Sequence, residues 1–158
     1  MKKRIAWMMT ILGIVGGALL GGALRKRDAQ GQNEKIEKFK EYYNLLNQWL
    51  MIKQQGKNLE DYFRNHAYYK IAIYGMGELG NRLYDELKNT QVRVVYAIDQ
   101  SANQICVDLP ICMKDDLDKP EVDAIIVSAV FAFDEIRESL AENYDVPIIS
   151  LDDVIYEI

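Results

Sequence analysis

Lys70–Tyr74 (KIAIY) has the look of a short apolar strand, and Gly75-Met76-Gly77-Glu78-Leu79-Gly80 follows it without a gap. Leu79, Leu83 and Leu87 then share one helix face, and the helix continues through Asn81–Lys88. A second apolar run, Val92–Ile98 (VRVVYAI), ends in Asp99. Strand, glycine turn, helix and strand in this order admit few folds. The two strands lie parallel, joined by a right-handed crossover with the helix on one face of the sheet.

The remaining sequence extends this unit. Val122–Val130 (VDAIIVSAV) is nearly continuous in apolar residues, which suits a strand buried on both faces. Phe131–Asn143 reads as a helix with Phe133, Ile136 and Leu140 toward the sheet. Val146–Leu151 (VPIISL) is a last strand, and Pro147, which has no N–H, suits its start or a sheet edge. Leu109–Met113 adds a short strand, Lys114–Leu117 a brief helix, and Asp152–Ile158 a closing helical turn. The expected body, residues 70–158, is an α/β domain with a parallel sheet of four or five strands.

The G-x-G-x-x-G is the one motif in the chain that carries chemistry. Gly75 permits a tight turn off the strand, Gly77 lets a pyrophosphate approach the backbone, and Gly80 lets the helix pack closely on the sheet. The helix N-terminus offers N–H groups and a positive dipole to an anion. Asp99, at the end of the next strand, is placed to accept hydrogen bonds from a ribose diol and to repel a 2′-phosphate, favouring NAD-type over NADP-type ribose. Ser128, at the carboxyl end of the central strand, lines the same crevice or is simply satisfied at the strand end. The candidate ligand-binding residues are thus Gly75, Met76, Gly77, Glu78, Leu79, Gly80, Asp99 and Ser128. Of the ten glycines, five lie in an N-terminal apolar run, two in linkers and three in this turn. Two features weigh against a ligand. Such turns also serve packing alone, and Glu78 repels a pyrophosphate if it points inward.

Ile5–Leu24 is a run of 20 uncharged residues. At about 1.5 Å per residue it spans roughly 30 Å, the thickness of a bilayer's hydrocarbon core. Residues 1–27 are therefore expected to be a membrane anchor. A cleaved signal peptide is the rival, but the apolar run is long for one, and Arg25, Lys26 and Arg27 follow at once. Gly13, Gly17 and Gly21 repeat every fourth residue along one face, where a second helix can approach in lipid. Three basic residues flank each end, so the charge bias that orients a single span nearly cancels. A single-pass or a re-entrant helix both fit.

Residues 28–69 form a linker and amphipathic helices. From Glu34 to Gln55 the residues Ile36, Phe39, Tyr43, Leu46, Leu50 and Lys53 alternate spacings of three and four, a heptad-like seam that its last member, Lys53, weakens. Tyr42, Trp49 and Met51 widen the apolar surface. Two readings stand: self-association through the seam, or packing on the following domain. Gly56 is the expected stop, and Asn58 the expected N-cap of a short helix, Leu59–Asn65.

Ile71–Gly80 (IAIYGMGELG), with RLYDEL and VVYAID after it, resembles the NAD(P)-binding Rossmann superfamily. More narrowly it is similar to the small Rossmann-like domain of bacterial surface-polysaccharide and nucleotide-sugar modifying proteins, such as bacillosamine-pathway sugar acetyltransferases and membrane-bound nucleotide-sugar dehydratases. The resemblance covers residues 70–158. It implies a small Rossmann-like sheet and a dinucleotide, NAD, or a nucleotide-sugar held at Gly75, Gly77, Gly80 and Asp99. Unlike in those proteins, no catalytic domain is expected beyond this body.

From Asp28 onward the chain has 13 basic against 24 acidic residues, which argues against nucleic-acid binding. Cys106 and Cys112 are too few for a disulfide framework, and His66 is the only histidine. Asp115, Asp116, Asp118, Glu121 and Asp123 read as a solvated loop and helix cap. Tyr84-x-x-x-Lys88 matches the letters of a reductase pair but falls on the first helix after the turn, away from where a nicotinamide would lie. With no catalytic constellation, the leading expectation is a non-catalytic module at the cell membrane, its soluble domain in the cytoplasm. It would bind a nucleotide or nucleotide-sugar and act as a sensor or scaffold beside a polysaccharide-synthesis enzyme. An NAD-dependent epimerase- or reductase-like enzyme, and a scaffold with a vestigial glycine turn, are the alternatives.

Overall fold

The computed structural model describes residues 31–99, 109–113 and 120–158. The anchor at 1–27, Cys106 and the helix expected at Lys114–Leu117 lie outside these residues. Among the described residues, no helix is long and apolar enough to cross a membrane. The chain divides into two units, Met1–Asn44 and Leu45–Ile158.

Helix α1 runs from 31 to 54. Gly56, at φ +74°, ends it. The Gly56 N–H reaches the Lys53 carbonyl and the Lys57 N–H the Ile52 carbonyl, the paired closing bonds that a left-handed glycine allows. Helix α2 is Glu60–Asn65. Here one expectation is corrected: Asn58 does not cap α2, whose N-cap position is Leu59, without a side-chain cap. The Asn58 side chain instead accepts a hydrogen bond from Lys53 Nζ at 2.8 Å.

The body follows the order β1 (Lys70–Tyr74), α3 (Glu78–Leu87), β2 (Arg93–Ile98), β3 (Ile111–Cys112), β4 (Ala124–Val127), α4 (Phe133–Ala141), β5 (Ile148–Ser150) and α5 (Leu151–Glu157). All four pairings are parallel. The five-stranded sheet has the order β3-β2-β1-β4-β5. The chain thus builds outward from β1 to one side, then returns to β1 and builds to the other. The reversal falls between β1 and β4, and in open parallel sheets the carboxyl ends of the strands at such a point are where ligands are commonly held.

Burial explains the strand sequences. All four residues of β4 are buried, as are Ile71, Ala72 and Ile73 of β1, because helices cover both faces of a parallel sheet. Leu79, Leu83 and Leu87 are the buried stripe of α3. Leu140 is buried in the core cluster with Ile125 and Val127, and Phe133 and Ile136 pack against it. A short 3-10 turn, Val130–Ala132, opens what the sequence reads as the start of α4. Pro147 sits just before β5 and offers its carbonyl to the Ile125 N–H, so its missing N–H leaves no gap in the ladder.

In the second unit, α1 turns Leu45, Trp49 and Ile52 inward, all buried. The Trp49 indole N–H donates to Glu86 Oε2 of α3 at 2.7 Å. Glu86 Oε1 accepts the Leu59 N–H at 2.9 Å and pairs with Lys53 Nζ at 3.0 Å. Lys53 is therefore not a flawed seam residue but a partner of α3, and the 45–54 stretch packs on the body.

Candidate functional site

The glycine turn connects β1 to α3 at the sheet's reversal point. Tyr74 ends β1, and its carbonyl accepts the Ser128 N–H at 3.0 Å. Gly75 then takes φ +87°, where a side chain is strained. Its N–H crosses to the Ile98 carbonyl at 2.9 Å, and its carbonyl accepts the Ser128 hydroxyl at 2.6 Å. Ser128 is thereby a buried, satisfied strand-end serine that clamps the turn from β4.

Gly80 is required for a different reason. A Cβ there would drive into the Gly75 carbonyl, well inside van der Waals contact. The first turn of α3 thus rests directly on the backbone of the turn that precedes it. Gly77 differs from both. It has φ −73° and ψ −161°, an extended conformation open to any residue, and no described atom lies within 4 Å of where its Cβ would sit. It is the N-cap of α3 and is exposed, and no side chain caps the helix there.

Asp99 follows β2 and is half-buried. Its Oδ2 accepts the Met76 N–H at 2.7 Å, tying the end of β2 to the turn. Asn81, which the sequence reading did not single out, donates from its side chain to the Met76 and Gly77 carbonyls, both at 3.0 Å. Those bonds tie the carbonyl side of the turn to α3, while the Gly75 and Met76 N–H groups are taken by the Ile98 carbonyl and by Asp99. A polar side chain four residues after the middle glycine is the only local signal of this role.

The predicted site residues separate accordingly. Met76 and Leu79 send their side chains into the core. Gly75, Gly80 and Ser128 shape the turn, Asp99 braces it, and Gly77 with Glu78 forms its exposed rim. Tyr84 and Lys88 lie toward the far end of α3, where the Lys88 ammonium pairs with Asp85 at 2.8 Å, which holds it charged. Asp123 lies in the half-exposed bend before β4, as a loop residue, but its carboxylate is bonded and caps no helix. Its Oδ2 accepts the Tyr69 and Lys70 N–H groups at 2.8 and 2.7 Å and pins the start of β1. A cavity of about 210 Å³ lined by Lys57, Asp61, Tyr62, Asn65 and Glu157 shares no residue with the turn.

Fold and turn together define an α/β domain with a five-stranded parallel sheet and a glycine-rich connection at its reversal point. A family model for the C2185-like N-terminal domain matches residues 67–149, more than half of the chain, and the chain belongs to that family. The match spans the glycine turn, Asp99 and Ser128. No curated protein and no solved structure matches the chain.

Proposed function

We propose that this protein is a membrane-tethered, non-catalytic module whose Rossmann-like domain binds a nucleotide or nucleotide-sugar at the glycine turn, and that it acts as a sensor or scaffold beside an enzyme of surface-polysaccharide synthesis. The tether is the apolar run Ile5–Leu24. The strand order supports the site, because ligands of doubly wound sheets sit in the crevice where the order reverses. The observation that carries the reading is Gly77. It leaves the N-terminus of α3 exposed and without a side-chain cap, and no described atom lies within 4 Å of where its Cβ would sit, so a group from outside can approach the backbone there. A pyrophosphate on the N-terminus of α3 is such a group. A ribose diol would then meet Asp99, whose carboxylate favours an unphosphorylated 2′-hydroxyl.

A second reading has its own support. Gly75 and Gly80 are both explained by the turn's own geometry, so the turn also serves as packing in a structural scaffold.

Thermal unfolding of the full chain in detergent micelles, against NAD, NADP and UDP-sugars, separates the two. A ligand at 100 times its dissociation constant adds about 2.7 kcal/mol, a rise of several degrees in the midpoint. The module reading expects a shift with one ligand class that Gly77→Val abolishes while the unliganded midpoint stays near wild type. No shift with any of them assigns the turn to packing.

A further inference from the structure

We propose that the outward stripe of α1 is the seam of a parallel, two-stranded coiled coil with a second copy of this chain. Helix α1 carries two apolar stripes. Leu45, Trp49 and Ile52 form one, and it is already buried. Ile36, Phe39, Tyr43, Leu46 and Leu50 form the other, about 140° around the helix at 3.6 residues per turn. Within 31–44, Ile36 is 52%, Phe39 74% and Tyr43 63% exposed; within 45–54, Leu46 is 38% and Leu50 54% exposed. A helix that packs on its own domain needs one stripe, and the inner one serves that purpose.

The spacing of the outer stripe identifies its occupant. Its steps alternate three and four residues, averaging 3.5, the period that keeps a seam in register with another helix supercoiled around it. Ile36, Tyr43 and Leu50 take the first core position of successive heptads, and Phe39 and Leu46 the second. The next core position is Lys53, whose ammonium is held by Glu86 and Asn58, so the seam ends at Leu50. An identical helix presents the same residues layer by layer. From the exposures above, the stripe offers roughly 600 Å² per copy, so a pair buries about 1,200 Å², the lower bound of a specific interface.

Orientation rests on the proposed tether, since two copies anchored by the same apolar run leave the membrane in the same direction. The parallel arrangement sets Lys35 of one copy beside Lys40 of the other at the flanking positions. That repulsion weakens the pair and makes it tighten as salt rises. A seam of two heptads is short, so the pair depends on the high local concentration a shared membrane supplies.

Disulfide scanning of the full chain in its membranes tests this, with Cys106→Ala and Cys112→Ala as background. Single replacements Phe39→Cys, Tyr43→Cys, Leu46→Cys and Leu50→Cys are expected to give roughly tenfold more cross-linked dimer than Glu41→Cys and Gln48→Cys on the opposite face. Tyr43→Glu, with Trp7→Phe so that Trp49 alone emits, is expected to abolish cross-linking through Leu46→Cys while Trp49 emission, and hence the folded body, stays unchanged. Equal cross-linking at all positions, none along the seam, or cross-links only between unlike variants, as an antiparallel pair gives, would overturn the proposal. So would seam cysteines that are shielded by lipid and form no dimer. Carbonate extraction of the same membranes reads the tether separately.

Discussion

Replacing Glu86 by alanine strands two buried donors and one surface cation at once. The carboxylate accepts the Trp49 indole N–H at 2.7 Å and the Leu59 N–H at 2.9 Å, and it pairs with Lys53 at 3.0 Å. Trp49 is 6% exposed and Leu59 fully buried, so neither donor can turn to bulk water without opening the packing. Each unsatisfied buried donor costs about 1–3 kcal/mol. Lys53, 41% exposed and still bonded to Asn58, adds little. Alanine's better helix propensity returns a few tenths of a kcal/mol. The expected loss is about 3 kcal/mol, a large share of the 5–15 kcal/mol typical of a domain. Glu86→Gln keeps one acceptor oxygen and should lose about half as much. The assay is urea unfolding of the full chain in micelles, with Trp7→Phe so that Trp49 alone reports. Glu86→Ala should lower the midpoint and change Trp49 emission before global unfolding, as 45–54 loosens from α3. A loss below about 1 kcal/mol with unchanged Trp49 emission would show that water replaces the carboxylate freely and refute the reasoning.

Three further outcomes are expected. Gly80→Ala, a change that favours an ordinary helix, should destabilise by about 3 kcal/mol or more because its Cβ meets the Gly75 carbonyl, whereas Gly77→Ala should stay within about 1 kcal/mol of wild type in thermal melts. Ala67 holds φ 58° in the loop that closes α2, so Ala67→Gly should stabilise by about 0.5–1 kcal/mol in the same measurement. Burial, with Glu157 nearby, pushes the Tyr62 phenol up to about 12, so above pH 10 the unfolded chain ionises first; stability should fall by on the order of 2 kcal/mol between pH 10 and 12, and Tyr62→Phe should remove that part of the loss.

The elements that local pattern marks were legible. The glycine turn after KIAIY, the Leu79-Leu83-Leu87 stripe and the continuous apolar run of β4 each carry their burial in their spacing. The ends were less legible, since VDAIIVSAV gives a strand of four residues, with Asp123 before it bound to the start of β1 and Ser128 to Val130 leading into the turn beyond it. Helix α1 was ambiguous for a physical reason: it bears two apolar stripes, and a count of apolar residues cannot say which one the domain uses. Lys53 looked like a defect because its partner, Glu86, lies 33 residues away on another helix, and nothing near a glutamate in sequence marks it as an acceptor for a distant indole. In the site, the packing roles of Gly75 and Gly80 follow from the motif. The burial of the Met76 side chain and the part played by Asn81 do not, because both depend on how the turn lies against β2 and α3.

The unequal constraints on the three glycines have an evolutionary consequence. Gly75 and Gly80 are held by the fold, so every lineage that keeps the domain should keep them. Gly77 is exposed to selection only through what touches it. Where nothing binds, drift should replace it with the better helix caps, Ser, Asp or Asn, at no loss to the fold. Where a phosphate binds, those side chains would occupy its place, and glycine should persist. Across the family, the residue at this one position should therefore sort the members that bind a ligand from those that have lost it.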